Sequence, residues 1–226
     1  VLEGKNVIAV GGSVRPANGV VIEKGHVVKY RLPRNIIARM QSLEYDRSFL
    51  AARILLDKIN ANMIISGAFG LFEKKTVIAV GGYDNSTMGE DMELVVRLHE
   101  FCRMNRKPYK IHFAQDAICW SQTPEKLSEL SKQRKRWQRG LFQCMWGHRK
   151  MLANPRYGAV GLLSYLYFLF YELLSPFIEL FGVLTMVLST MMDMLNVKFM
   201  LAFLACYALY GILLTLNAYF SRIYTI

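Results

Sequence analysis

The feature that most constrains this chain is an uncharged stretch of 23 residues, from Phe199 to Ser221. An α-helix rises about 1.5 Å per residue, so a stretch of this length covers the roughly 30 Å of hydrocarbon in a bilayer. The stretch therefore predicts a transmembrane helix over residues 199–221. A chain with such a helix is not expected to fold as a single soluble domain.

Charge is divided unevenly along the chain. Of the 28 Lys and Arg residues only Lys198 and Arg222 lie beyond residue 157, so the net charge is +12 up to that point and −1 after it. This composition excludes a disordered chain and a disulfide-stapled secreted module. The four cysteines form no C-x-x-C pair and indicate neither a zinc site nor a disulfide framework. We expect a basic domain over residues 1–157 and a membrane region over residues 158–226.

A second apolar stretch covers residues 159–192 and is longer than one span needs. It contains Glu172 and Glu179, and a carboxylate at bilayer depth costs roughly 2.5–3.5 kcal/mol on insertion scales. These glutamates should face protein or the interface, and Pro176 should mark a kink. One kinked span and an interfacial helix joined to a span are both consistent with this pattern.

The basic residues that precede this stretch indicate the orientation. Arg149, Lys150 and Arg156 lie before it, whereas the loop of residues 193–198 between the apolar stretches has one basic residue. The positive-inside bias places residues 1–157 in the cytoplasm of a multi-pass protein of the plasma or inner membrane.

The basic part has the pattern of an α/β domain. Two identical β-branched runs ending in glycine, residues 7–12 and 77–82, predict strands that lead into turns. A third strand is predicted over 109–114. Helices are predicted over 38–60, 92–104 and most of 124–151, the first from apolar positions at Met40, Leu43, Leu50, Ile54 and Leu55.

An acidic motif, Thr87-Met-Gly-Glu90-Asp91, precedes the second predicted helix. Thr87 and Glu90 have the spacing of a capping box, and acids in a first helical turn favour the helix dipole in any protein. The alternative is catalytic, because an adjacent acid pair at the mouth of a loop can supply a general base. By itself the motif favours the cap.

A basic motif, Gln133-Arg-Lys-Arg136-Trp137, lies in the third predicted helix. One face of this helix carries Gln133, Arg136 and Trp137. On that face an amide and a guanidinium can bind a diphosphate, and an indole can stack on a sugar. The alternative is a solvated basic helix beside anionic lipid, with its Trp at the interface.

A run of small residues, Ser66-Gly67-Ala68-Phe69-Gly70, permits close approach of a ligand to the backbone, or forms a tight turn before a strand. By itself it favours the turn. The four histidines have no metal-ligand spacing, and His99 is more typical of a structural residue.

The order of these motifs resembles the family 2 processive glycosyltransferases, the group of cellulose, chitin, hyaluronan and poly-N-acetylglucosamine synthases. The motifs run from the Ser66 segment through Val80-Gly-Gly-Tyr83, Glu90-Asp91 and Gln133-x-x-Arg136-Trp137 to apolar helices. The resemblance implies a partial GT-A type, Rossmann-like catalytic domain followed by transmembrane helices.

The resemblance also implies a role for each motif. Asp91 is the general base, with Glu90 as its neighbour. Gln133 and Arg136 contact the nucleotide diphosphate of the donor. The acceptor sugar contacts Trp137 and the entrance formed by Ser66, Gly67, Ala68 and Phe69.

One departure from the family concerns the metal. The family binds Mg²⁺ or Mn²⁺ and the nucleotide sugar through an Asp-x-Asp pair that precedes these motifs, and the sequence contains no such pair. We therefore expect the chain to be a C-terminal fragment that holds no metal ligands and is inactive alone.

The function that the resemblance implies is transfer of a sugar, with inversion, from a nucleotide sugar of the UDP-sugar kind to a growing polysaccharide at a lipid bilayer, without nucleic acid. Two alternatives are a non-processive transferase acting on a lipid and a non-enzymatic basic scaffold at the membrane.

Overall fold

The computed structural model describes residues 6–223, apart from the side chains of residues 50, 51, 214, 215 and 217–223. The chain divides into two compact units, Val1–Leu166 and Tyr167–Ile226. The first unit is an α/β domain, as the sequence predicts.

A mixed three-stranded sheet forms the centre of the first unit. Strand β1 (Val7–Pro16) lies between β4 (Gly70–Phe72), which is antiparallel to it, and β5 (Lys110–Ser121), which is parallel. Strands β2 (Val21–Glu23) and β3 (His26–Lys29) form a separate antiparallel hairpin. The predicted strands over 7–12 and 109–114 are confirmed, and both continue beyond their predicted ends.

Five helices belong to this unit in the described chain: α1 (Ile36–Arg47), α2 (Arg53–Lys58), α3 (Lys74–Ala79), α4 (Glu90–Met104) and α5 (Leu127–Gly147). A π-helical segment, Ser48–Ala52, joins α1 to α2. The core packs α4 against the sheet, with Leu94 and Leu98 fully buried beside Ala9 and Ile111. The helices predicted over 92–104 and within 124–151 are confirmed.

The strand predicted over residues 77–82 is wrong, although its sequence is identical to that of residues 7–12. The first copy pairs on both sides within the sheet. The second copy follows Glu73, whose carboxylate accepts a hydrogen bond from Thr76, and it forms the end of α3. Gly81 and Gly82 have φ of 91° and 78° and terminate that helix. Partner strands therefore decide the conformation of this hexapeptide.

The helix predicted over 38–60 is present in two pieces, and its predicted apolar face is only partly correct: Ile54 packs against the core, and the Leu50 side chain lies outside the description. Met40, Leu43 and Leu55 are exposed, whereas the buried face of α1 is largely polar: Ala38, Gln41, Ser42 and Asp46. The reason is that polar partners lie inside. The amide of Gln41 donates to the carbonyl of Pro124 at 2.8 Å, and Asp46 lies close enough to the buried Arg15 for each charge to affect the other's pKa.

Beyond α5, two 3-10 turns, Arg149–Met151 and Pro155–Tyr157, are followed by the helical segments Val160–Ser164, α6 (Tyr165–Tyr167), Phe168–Leu173, α7 (Ser175–Met191) and α8 (Val197–Ile223). Among the residues described, no single helix is long and apolar enough to cross a membrane. One bent pair, Val160–Leu173 with Ser175–Met191, meets that requirement jointly by length and composition. Its break lies beside Pro176, in the first turn of α7.

The span predicted over 199–221 lies only partly within the described side chains. Over Val197–Leu213 the helix is apolar but shorter than a span requires, and most of the remaining side chains lie outside the description. Both predicted spans therefore stay predictions.

Candidate active site

The carboxylate of Asp91 lies at the start of α4 and faces the turn made by residues 66–69. Its Oδ2 accepts a hydrogen bond from the backbone N–H of Gly67 at 3.0 Å, and its Oδ1 accepts one from Met92 at 2.8 Å. The neighbouring Glu90 is exposed. The structure thus brings the predicted base into contact with the predicted acceptor segment and leaves Glu90 outside that contact.

The capping box suggested by Thr87 and Glu90 is not formed. The residue that precedes α4 is Gly89, and no side chain caps the helix there. Instead Thr87 Oγ1 accepts from the N–H of Gly89 at 3.2 Å. Capping therefore does not account for the acidic residues, although their charges at a helix N-terminus remain favourable.

The segment from Ser66 to Phe69 is a tight turn fixed to the sheet. The N–H of Phe69 donates to the carbonyl of Ser66 at 2.9 Å. The Phe69 ring lies over Gly12 of β1, where a Cβ atom would be 2.4 Å from the ring. Gly67, Ala68 and Phe69 are exposed. The tight turn that the sequence favoured is confirmed, and contact of this turn with a ligand stays a prediction.

Helix α5 crosses the N-terminal end of α4, and the two backbones meet at Gly140 of α5 and Gly89, the residue before α4. A Cβ on Gly140 would lie 2.6 Å from the backbone nitrogen of Gly89, so only glycine permits this approach. One turn further on, Gln143 Oε1 accepts from the N–H of Met88 at 3.0 Å. Sequence analysis missed both contacts; a glycine inside a helical pattern was the available signal.

The predicted donor-binding residues lie on the same face of α5 as these contacts. Gln133, Arg136, Gly140 and Gln143 are spaced by three or four residues, which places them on one side of the helix. At about 1.5 Å per residue, Arg136 is roughly 6 Å along the helix from the crossing point. The basic motif therefore approaches the N-terminus of α4, where Asp91 lies.

Two polar side chains on this face of α5, Gln133 and Arg136, have atoms that could bind a ligand. Gln133 Oε1 is buried and finds no hydrogen-bond partner among the described residues, and Arg136 is exposed. The Trp137 side chain is 39% exposed, with the Arg134 guanidinium 4.9 Å from its ring centroid. Arg134 in turn makes a two-pronged ion pair with Glu44 of α1. The amide oxygen of Gln133, the guanidinium of Arg136 and the partly exposed indole of Trp137 thus lie on α5 without being fully engaged by other described residues.

An ionic network ties the end of α5 to α4. His148 contacts Glu100 at 2.7 Å and Glu93 at 3.4 Å, and Glu93 also pairs with Arg97 at 2.7 Å. Burial lowers the pKa of His148, but the hydrogen bonds and charges of the two glutamates outweigh it and raise the pKa above its ordinary value. The network, which the sequence did not reveal, stabilises the packing that supports the site.

His99 is structural, as the sequence suggested. It is fully buried, and its Nε2 lies 2.8 Å from the carbonyl of Asn62, so that nitrogen carries the proton. The Nδ1 atom then accepts from the Tyr109 hydroxyl at 2.7 Å. Burial lowers the pKa of His99 to about 4.

The described residues contain no group of three His, Cys, Asp or Glu side chains able to hold a metal ion. The divalent metal that the resemblance implies therefore has no candidate ligand group among those residues, and the expectation that this chain lacks metal ligands stays a prediction.

A family model described as Glycosyl transferase family group 2 matches residues 18–226. A poly-beta-1,6-N-acetyl-D-glucosamine synthase of Staphylococcus aureus strain COL is 31% identical over 126 residues, which cover 56% of this chain and 28% of that protein. The enzyme of the same name from Staphylococcus epidermidis is 30% identical over the same shares. The aligned residues thus cover less than a third of the length of each of these relatives.

The family match covers all the motifs discussed above, and the mixed α/β sheet of the first unit fits a GT-A-like domain. The chain belongs to the glycosyl transferase family group 2.

Proposed function

We propose that this chain carries the acceptor-side catalytic residues of an inverting glycosyltransferase that extends a polysaccharide. The observation that carries the proposal is the contact between Asp91 and the turn of residues 66–69, at 3.0 Å. The same end of α4 meets the helix that bears Gln133, Arg136 and Trp137. The proposed base on α4, the proposed acceptor surface on the turn of residues 66–69 and the proposed diphosphate-binding residues on α5 therefore lie near the N-terminal end of α4.

In the proposed step, Asp91 takes the proton of an acceptor hydroxyl while that oxygen attacks the anomeric carbon of the donor sugar. A new C–O bond forms, the bond to the diphosphate breaks, and its electron pair leaves with the nucleotide diphosphate. Each Asp91 oxygen accepts one backbone N–H and keeps a second lone pair, so the carboxylate can receive the proton without losing its supports.

Helix α5 supplies the groups for the leaving diphosphate and the acceptor. Arg136 offers paired N–H donors that match phosphate oxygens, and the amide of Gln133, whose Oε1 has no partner among the described residues, orients the donor. Trp137 stacks on the terminal sugar and fixes which hydroxyl faces Asp91. Because the relatives are named as synthases of an N-acetyl-D-glucosamine polymer, we propose a UDP-linked sugar as donor.

The chain alone should not catalyse transfer. We propose that Mg²⁺ or Mn²⁺ and part of the donor are held by carboxylates outside these 226 residues, since the sequence has no Asp-x-Asp pair. The experiments below accordingly use the complete protein in which this chain occurs.

Membrane embedding is part of the proposal. The near absence of charge beyond residue 157 and the bent apolar pair, Val160–Leu173 with Ser175–Met191, support insertion into the plasma or inner membrane. The basic residues just before the pair favour a cytoplasmic position for residues 1–157.

The size of the product tests this function. Membranes containing the complete protein are supplied with a radiolabelled UDP-sugar, and the products are separated by size. We expect a polymer of many sugars, and Trp137→Ala should reduce elongation more than hydrolysis of the donor. A lipid carrying one sugar would instead identify the non-processive alternative, and no transfer at all would favour the scaffold.

A further inference from the structure

The turn that contacts Asp91 has a defined geometry. Its hydrogen bond joins the N–H of Phe69 to the carbonyl of Ser66 at 2.9 Å, so Gly67 and Ala68 are the two central residues. Neither has a positive φ. Negative φ at both central positions is typical of a type I turn, in which the first central position accepts most residues, including proline.

The N–H of Gly67 has no role within the turn itself. In a type I turn the hydrogen bond is made by the fourth residue, so the N–H of the first central residue is free to donate outwards. Here it donates to Asp91 Oδ2 at 3.0 Å. With the N–H of Met92 on Oδ1, two backbone donors from different segments hold the two oxygens of one carboxylate.

The turn is itself held by the sheet. Gly70, the residue after the turn, pairs with Gly11 of β1, and the Phe69 ring lies on Gly12. The turn that carries the Gly67 N–H is thus anchored on β1, a segment separate from α4. A donor fixed in this way orients a carboxylate more rigidly than water, which reorients freely.

We propose that the backbone N–H of Gly67 is a positioning group for Asp91 and aims its carboxylate at the acceptor hydroxyl. This inference rests on the proposed function. It adds that the turn does more than line the acceptor entrance: it couples the acceptor surface to the orientation of the base, because one turn makes both contacts.

The test compares two substitutions at the same position in the complete protein. Gly67→Ala keeps the N–H, and its added Cβ would lie 3.4 Å from Asp91 Oδ2, an ordinary contact. Gly67→Pro suits the turn but replaces the amide hydrogen with the proline ring, so the carboxylate loses its donor and must turn away. The measurements are kcat, KM for the UDP-sugar, UDP binding and the melting temperature.

We expect kcat of Gly67→Pro to fall at least about ten-fold below that of Gly67→Ala, the size expected for losing a hydrogen bond to a charged group. The KM for the donor and UDP binding should agree within about two-fold between the variants. A merely structural role would instead lower kcat, weaken donor binding and lower the melting temperature together. Equal kcat values would overturn the inference.

Two further variants complete the test. If Asp91→Asn keeps polymer synthesis, the proposed base is wrong; if it is inactive while Gly67→Pro matches Gly67→Ala, only the positioning role is wrong. If Gly67→Pro fails to fold, Gly12→Ala is expected to shift the turn without changing its N–H, since the new Cβ would lie 2.4 Å from the Phe69 ring and 2.6 Å from the backbone oxygen of Ala117. A folded Gly12→Ala variant with wild-type kcat would then contradict the inference.

Discussion

At the scale of single residues, the site depends on what each charged side chain touches. Asp91 and Glu90 are adjacent acids, yet only Asp91 reaches the acceptor turn. The same contrast holds on α5, where Arg136 is exposed while Arg134 is engaged with Glu44 and Trp137. Arg134 therefore supports the indole, and the exposed Arg136 is the guanidinium that we propose binds the diphosphate.

Glu44→Gln should loosen the support of Trp137. The substitution removes the charge that holds Arg134 over the indole, an interaction of roughly 0.5–1 kcal/mol at a partly exposed site. We expect about a two- to five-fold rise in KM for the acceptor, with little change in KM for the donor. Glu129→Gln is the matched control, because Glu129 is 55% exposed and pairs with Lys126 only at 3.9 Å. Equal effects of the two variants would contradict the supporting role of Arg134.

At the scale of elements, the crossing of α4 and α5 assembles the site. Gly89 and Gly140 let the two backbones meet, and Gln143 fixes the loop before α4. This crossing accounts for the order of motifs in the sequence: a loop, a helix N-terminus and a later helix converge although about 70 residues separate Ser66 from Arg136.

Gly140→Ala should separate the two helices. Its Cβ would lie 2.6 Å from the backbone nitrogen of Gly89, and a backbone atom cannot rotate away, so overpacking should cost about 1–3 kcal/mol. Gly147→Ala, near the end of the same helix, has open space around its Cβ and should be neutral or stabilising by up to about 1 kcal/mol. Denaturant unfolding measures both, and similar free energies of unfolding for the two variants would argue against the crossing.

Some helices and strands could be predicted from the sequence, and others could not. The helices with strong periodicity, α4 and α5, were predicted, because their apolar spacing is a local property. The hexapeptide at 77–82 was assigned to a strand because its twin at 7–12 has the same residues, and only the partner strands distinguish the two. The face of α1 was misjudged since Gln41 and Asp46 find buried polar partners that are remote in sequence.

At the scale of the whole molecule, two histidines contribute to the dependence of the first unit's stability on pH. The pKa of His148 is raised, so its stabilising contribution is complete below pH 6.5 and is lost as pH rises through the higher folded-state pKa. The pKa of His99 is lowered to about 4, so its contribution is present above pH 6.5 and is lost as pH falls towards 4.

His148→Gln should therefore flatten the fall in stability on the alkaline side. In the native protein the free energy of unfolding should decrease as pH rises above 6.5, whereas in the variant this decrease should be smaller and the value at pH 6 lower. Urea unfolding across pH 5 to 9 measures it. An unchanged slope above pH 6.5 would contradict the role of His148 between Glu93 and Glu100.

The general character of the molecule was predictable from its sequence. The division of charge indicated two parts, and the ordered motifs indicated a family that the comparison confirms. The glycine contacts at Gly12, Gly89 and Gly140 were not predictable, because each depends on which backbone lies opposite. The sequence indicated the candidate residues of the proposed site, and the structure shows the contact between Asp91 and the turn of residues 66–69.

The most direct test of the central claim is the rate of sugar transfer by Asp91→Asn in the complete protein, measured with a labelled UDP-sugar and compared with Glu90→Gln. The account predicts that Asp91→Asn loses about 10²-fold or more in transfer while keeping membrane insertion and UDP binding, and that Glu90→Gln retains far more activity. Polymer formation by Asp91→Asn at the wild-type rate would contradict the account.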